Sequence, residues 1–154
     1  MALAAHVFPY LTSEAGLKNI NFTGDTLQVH LISSVSPAYT WGSGAYGAKS
    51  LSDFMLGSGA GAMTEASGTG YSAQTLLSVT FNTATNVNTL SCAPPTWPAS
   101  SITATYAVFV DTTYTISASP ALICYWDFGG TQATTGATFT LSINASGLAT
   151  WTSN

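Results

Sequence analysis

The sequence predicts an all-β fold, a sandwich or jelly-roll-like barrel of about seven to eight strands with one short N-terminal helix. Several segments alternate apolar and other residues with a period of two, which is typical of strands with one buried face. Turn-forming Gly, Pro, Asn and Asp residues separate these segments. Strand patterns do not alternate with helix patterns, so a parallel sheet is not indicated.

The C-terminal third, from Ile102 to Trp151, has the clearest strand pattern. Its first segment is expected to present one common face, made of Ile102, Ala104, Tyr106, Val108 and Val110. Further strands are expected at 121–126 and 138–143. Because the opposite faces of these segments are not cleanly polar, we expect protein to cover this sheet on both sides.

The N-terminal part adds an arm, a helix and a further strand. Residues 1–11 lack a clear period and are expected to form an extended arm. Residues 12–20 are expected to form the short helix, where Thr12 or Ser13 caps the free N–H groups and Glu14 pairs with Lys18 four residues later. Residues 26–33 are expected to be a strand that buries Leu27, Val29 and Leu31 on one face.

The pattern weakens across residues 34–71, which are rich in Gly and Ser and hold one helical turn at 49–56. A connection of this length in a small domain is typically functional, so we expect it to contact a partner. Ser67-Gly68-Thr69-Gly70 lacks the Lys of a phosphate-binding loop and predicts a turn with glycines at positive φ. Strands are expected again at 74–81, 87–90 and 96–97, the last broken at Pro98. Residues 1–154 are expected to form a single β domain.

Charged residues are scarce: they make up 5% of the chain, against roughly 25% in an average soluble domain. With two basic residues in all and a net charge of -4, the chain is not expected to bind nucleic acid or an anionic membrane. No apolar stretch reaches the roughly 20 residues of a spanning helix. A surface with few charges favours close subunit contact, because few charges have to be desolvated.

Two cysteines, Cys92 and Cys124, lie in apolar, strand-like surroundings. We expect buried free thiols, with a disulfide as the alternative. The N-terminal residues lack the basic region of a secretory signal, so we expect the protein to be made and folded in a cytosol.

Residues that could carry catalysis are few. The two histidines, His6 and His30, have no metal-binding spacing, and His30 is expected to be an ordinary strand residue. Asp111 and Asp127 are the only carboxylates of the C-terminal sheet. Both stand beside turn residues, where Asp accepts backbone N–H bonds, so a structural role is expected for them rather than paired acid and base. We therefore expect no enzymatic activity, no cofactor and no bound metal.

The aromatic residues could stack on sugars or lie at a subunit interface, and the scarcity of charge favours the interface. The candidate assembly contacts are Phe8, Tyr10, Trp41, Tyr46, Phe54, Met55 and Trp97.

Five phrases, taken in order, resemble a family of small structural proteins of tailed-bacteriophage virions. They are DTLQVHL (25–31), SGTGY (67–71), YAVFVDT (106–112), ALICYWDFGG (121–130) and TFTLSINASGL (138–148). The resemblance spans Leu11 to Trp151, and the chain departs from the family in its few basic residues and its Gly/Ala-rich insert at 57–62.

The resemblance implies a capsid decoration (cement) protein, made in the host cytoplasm and seated on the capsid surface. Its implied partners are further copies of itself, as a homotrimer, and the major capsid protein. A tail- or fibre-associated protein that binds host surface glycans is the alternative, and a polysaccharide hydrolase ranks third.

Overall fold

The computed structural model describes residues 4–8, 11, 19–35, 49–56, 63–84 and 86–152. Among the described residues, helix α1 spans Leu51–Leu56. The strands are β1 (Ala4–Val7), β2 (Leu27–Val35), β3 (Met63–Glu65), β4 (Gln74–Thr75), β5 (Thr80–Ala84), β6 (Val87–Ser91), β7 (Thr96–Ser100), β8 (Thr103–Ile116), β9 (Ser119–Ala133), β10 (Ala137–Thr140) and β11 (Ala149–Thr152). The predicted all-β, sandwich-like class is confirmed.

All the strand pairs are antiparallel. The main sheet has the order β1-β9-β8-β2-β3, and β4 also pairs with β2. A three-stranded sheet has the order β11-β6-β5, and β10 pairs with β7. At the centre, β8 and β9 form a long hairpin that turns at Ser117 and Ala118, both with positive φ, as in the turns that suit the twist of paired strands.

Apolar side chains cover both faces of the main sheet, as the sequence predicts. The larger core lies between this sheet and the two smaller ones, and includes Leu31, Leu90, Trp97, Phe109, Trp126 and Phe139. The smaller core covers the other face, and consists of Phe8, Ile32, Phe54, Met63, Val108, Val110, Leu122 and Tyr125. Helix α1 belongs to the smaller core through Phe54, and a hydrogen bond from the Leu122 N–H to the Lys49 carbonyl fixes its start on β9.

The expected common face of the first C-terminal segment is wrong. Ala104 lies in the larger core, whereas Val108 and Val110 lie in the smaller one. The alternation of β8 breaks at Thr105, where its pairing with β9 is irregular: Ala104 pairs with Gln132, but Tyr106 pairs with Asp127. The side chains that follow this irregularity therefore lie on the opposite face from the one expected.

The N-terminal half follows the expectations in part. Residues 4–7 of the predicted arm form strand β1, which pairs with β9 through Val7 and Cys124. The predicted strand at 26–33 is confirmed as β2, and its Leu27, Val29 and Leu31 all lie in the larger core. The predicted helical turn at 49–56 is confirmed as α1. Residues 12–18 of the predicted helix, and 36–48 and 57–62 of the predicted loop region, lie outside the described residues.

Two other strand predictions change. The expected strand at 74–81 is split into β4 and β5, because Ser78 adopts a φ of 53° between them. Strand β7 continues through Pro98, which the sequence predicts as its end. The described residues form eleven strands, more than the predicted seven to eight. No helix within the described ranges has the length and apolar character needed to cross a membrane.

Candidate assembly surface

Strand β5 is an open edge of the three-stranded sheet, since β6 is its partner among the described strands. All five of its residues (TFNTA) are exposed. Natural edge strands are usually protected by a charge, a proline or a bulge, which prevents pairing with another chain. The β5 sequence has neither charge nor proline, and its pairing with β6 runs without a register shift. On its outer side no other described strand pairs with β5, so this edge offers backbone groups to a further strand.

Exposed apolar side chains lie beside this edge. Leu77 is 68% exposed, Val87 is 40% exposed and Phe81 is 37% exposed. The ring of Phe81 stacks on Trp151 at 5.7 Å and lies 4.9 Å from the ring of Phe22, so its position is fixed. We call β5 together with Leu77 and Val87 the β5 edge surface. It combines an unpaired backbone edge with apolar contact area.

The structure corrects the predicted assembly contacts at Phe8 and Phe54. Both are 1% exposed, because their rings pack against each other at 5.9 Å and against Tyr125 in the smaller core. Their rings are therefore committed to the interior of their own chain. Met55, next to Phe54, is partly buried against the same core.

Trp97 is corrected in the same way, since it is 0% exposed in the larger core. Its ring stacks on Tyr71 at 6.4 Å and meets Phe139 edge-on at 5.8 Å, and its Nε1–H donates to the Ser72 carbonyl at 2.7 Å. The remaining predicted contacts, Tyr10, Trp41 and Tyr46, lie outside the described residues.

A groove of about 320 Å³ lies between the end of β9 and β10. Its described lining contains no charged side chain and consists of Trp126, Phe128, Gln132, Ala133, Thr134, Thr138, Phe139, Thr140, Leu141 and Ser142. The aromatic rings are at most 6% exposed, and the Trp126 Nε1–H already donates to the Leu148 carbonyl at 2.8 Å. A ligand in this groove would meet mainly hydroxyl and amide groups, because very little of the aromatic rings is exposed.

A polar cluster that the sequence did not reveal joins β2 to β3. His30 Nδ1 lies 2.8 Å from Glu65 Oε1, and the Tyr71 hydroxyl donates to the same oxygen at 2.7 Å. That hydroxyl also accepts the Leu31 N–H at 3.0 Å. Burial, followed by the hydrogen bond to Glu65, raises the pKa of Tyr71 far above its usual range. The phenol therefore stays protonated, and the cluster ties the turn at 67–71 to the main sheet.

The two carboxylates singled out in the sequence accept backbone N–H bonds, as predicted. Asp127 accepts the Gly129 N–H at 2.8 Å, and Asp111 accepts those of Thr113 and Tyr114 at 2.8 and 3.0 Å. Asp111 is fully buried, and its pKa is raised to about 6. Burial is the main cause and Asp25 adds to it, whereas the two N–H groups lower the pKa.

Sequence reasoning missed the contact of Asp25 with Asp111. A signal was present, because Asp25 immediately precedes the strand β2 that pairs with β8, and Leu27 is the register partner of Asp111. The sequence could have shown the contact only if the pairing of β2 with β8 had been known.

Both cysteines are free and buried, as expected. Burial raises the pKa of Cys92 to about 11, and burial with the nearby Cys92 raises the pKa of Cys124 as well, so both remain thiols at neutral pH. Within the part of the chain that is described, His, Cys, Asp and Glu form no group of three or more that could hold a metal ion.

Comparisons of the chain with protein-family models, with curated proteins and with solved structures found no match.

Proposed function

We propose that this chain is a structural protein of a tailed-bacteriophage virion, namely a capsid decoration protein without enzymatic activity. It binds further copies of itself, as a homotrimer, and the major capsid protein. The observation that carries this proposal is the β5 edge surface, an uncharged strand whose outer edge has no partner among the described strands and which is flanked by exposed Leu77 and Val87. The ordered phrases between Asp25 and Leu148 supply the virion context through their resemblance to such proteins.

The physical basis of assembly is the low cost of covering this surface. Charged residues are 5% of the chain, so a contact made by β5 removes little charge from water. The strand supplies main-chain hydrogen bonds to an added strand, and Leu77, Phe81 and Val87 supply apolar area. The main-chain hydrogen bonds and the burial of apolar area both stabilise the contact when another chain covers the edge.

The proposed location is the outer surface of the capsid, after synthesis in the host cytoplasm. A trimer attaches to the shell at several equivalent points, and multivalent attachment turns weak single contacts into strong retention. Binding to the assembled shell and not to free subunits stabilises the shell by mass action.

The groove between β9 and β10 favours a second candidate, a tail- or fibre-associated protein that binds neutral host glycans. Its lining combines aromatic residues with the hydroxyl and amide groups that sugars contact. We rank it second because Trp126, Phe128 and Phe139 are 3%, 1% and 6% exposed. Sugar stacking needs an open ring face, and these rings expose too little surface to offer one.

A charge placed on the open edge tests the assembly proposal. The Asn82→Lys variant is expected to shift the protein from oligomer to monomer, because a lysine on an edge strand opposes pairing with another chain. Sedimentation velocity of both proteins, at several concentrations, measures the change. Circular dichroism checks that the variant is folded.

Thr131→Lys is the matched control, since it adds the same charge at an exposed position on β9, away from β5. It is expected to leave the oligomer intact. If Asn82→Lys and the wild type sediment identically, or if both lysine variants dissociate alike, the β5 edge surface is not the assembly contact.

A further inference from the structure

Two acidic residues are held together where β2 and β8 end their pairing. Leu27 is the register partner of Asp111. Just before it, the Thr26 carbonyl accepts the Thr112 N–H at 2.9 Å and the Thr112 hydroxyl at 2.8 Å. The Thr26 N–H in turn donates to the Thr113 hydroxyl at 2.9 Å. These bonds fix the backbone next to Asp25 beside the backbone of Asp111.

The hydrogen bonds of the Asp111 carboxylate leave one oxygen without a partner. Oδ1 accepts two backbone N–H groups, whereas Oδ2 is buried and has no hydrogen-bond partner among the described residues. The Asp25 side chain lies within hydrogen-bond range of the Asp111 carboxyl group. Oδ2 of Asp25 also accepts the Asn21 N–H at 2.6 Å. Because carboxylate oxygens only accept hydrogen bonds, two ionised groups in this position cannot satisfy each other.

Among the described residues, no positive charge compensates these two carboxyl groups. The charge that acts on Asp111 is the like charge of Asp25. Lys49, which is the lysine that the described residues contain, lies exposed just before α1, and Asp53 accepts its backbone N–H. A buried carboxylate next to a second carboxylate is costly unless a positive charge joins them.

We propose that Asp25 and Asp111 bind a divalent cation of the Ca²⁺ type. The donors on offer are the oxygens of the two carboxyl groups, because the Thr26 carbonyl already accepts the Thr112 N–H and hydroxyl and the Thr113 hydroxyl accepts the Thr26 N–H. Hard cations such as Ca²⁺ take oxygen ligands of these kinds and complete their coordination with water.

With two protein carboxylates the affinity is modest, on the order of 0.1–1 mM, as in extracellular calcium modules. The cation would join the loop before β2 to Asp111 of β8, and so stabilise one end of the main sheet. This inference does not depend on the proposed virion function.

Thermal unfolding in CaCl₂ tests the site, with EDTA-treated protein as the starting point and NaCl at matched ionic strength as the salt control. At about 10 mM CaCl₂ and neutral to slightly alkaline pH, the wild type is expected to gain roughly 3–7 °C in Tm. Isothermal titration calorimetry with CaCl₂ is expected to give one ion per chain.

Asp25→Asn and Asp111→Asn are expected to abolish the calcium-dependent gain. The asparagine at 111 keeps an oxygen for the Thr113 and Tyr114 N–H groups, so in EDTA this variant is expected to be at least as stable as the wild type. Asp25→Asn changes a half-buried residue and provides a second test should the first variant fail to fold. Asp127→Asn, which alters another carboxylate that accepts a backbone N–H, is expected to keep the full gain.

Loss of the gain in both Asp25→Asn and Asp111→Asn, with retention in Asp127→Asn, supports the site. A wild type that does not respond to CaCl₂, or an equal response in all four proteins, would overturn it. In the first case a shared proton, not a cation, joins the two carboxyl groups.

Discussion

Replacing Trp97 with alanine is expected to lower the free energy of unfolding by about 3–5 kcal/mol, the usual cost of removing a large buried aromatic ring. The Trp97 ring is 0% exposed and packs between Tyr71 and Phe139. The substitution also leaves the Ser72 carbonyl without the indole N–H that it accepts at 2.7 Å. Urea denaturation followed by circular dichroism measures the change, at a concentration where the oligomeric state of both proteins is known.

Thr103→Ala serves as the control for this experiment. Thr103 is exposed at the start of β8 and lies outside the β5 edge surface, so its substitution is expected to alter the free energy of unfolding by no more than about 0.5 kcal/mol. If Trp97→Ala instead leaves unfolding unchanged and dissociates the oligomer, Trp97 is an assembly contact, as the sequence predicts, and its placement in the core is wrong.

Replacing Gly68 with alanine is expected to cost about 3–4 kcal/mol, through backbone strain and a steric clash. Gly68 has a φ of +128°, and a Cβ atom there would collide with the carbonyl oxygen of Ser101. The neighbouring turn cannot easily move away, because the Ser101 N–H donates to the Thr69 carbonyl at 2.9 Å. Thermal and urea unfolding of the variant measure the loss.

Gly130→Ala separates the clash from the strain. Gly130 has a φ of +152°, and a Cβ atom there would meet no other atom within 4 Å. Its substitution is expected to cost only about 1 kcal/mol, from the unfavourable backbone conformation alone. Equal losses at the two positions would show that the close packing of the 67–71 turn against Ser101 contributes nothing.

Short-range patterns in the sequence predicted the local structure that depends on neighbouring residues. The alternation of Leu27, Val29 and Leu31 predicted β2 and its buried face. The Ser-Gly-Thr-Gly segment predicted glycines at positive φ, which Gly68 and Gly70 confirm. In each case the deciding interaction, side-chain alternation or backbone sterics, lies within a few residues.

Features that depend on distant partners could not be predicted in this way. The face change in β8 occurs at Thr105, where the pairing with β9 shifts register, and Trp97 is buried where β7 pairs with β10 through Phe139. A pattern of single residues does not reveal which strands pair or in what register. The sequence therefore predicted a strand at 96–97 but assigned Trp97 to an assembly contact and not to the core.

The candidate site divides in the same way. The scarcity of charge indicated a surface suited to assembly, since composition alone sets the desolvation cost. Which strand provides that surface depends on the sheet order, which leaves β5 at an edge. The contact of Asp25 with Asp111 likewise requires the pairing of β2 with β8.

The central claim, that this chain is an assembly subunit of a capsid, is tested most directly by its copy number in purified particles. Under the proposed function a tailed phage encodes the chain, so heads and tails of that phage are separated, and the protein in each is quantified by mass spectrometry against the major capsid protein. We expect on the order of hundreds of copies on each head, as symmetric repetition over a shell requires. A few copies confined to tails, or none in the particle, would contradict it.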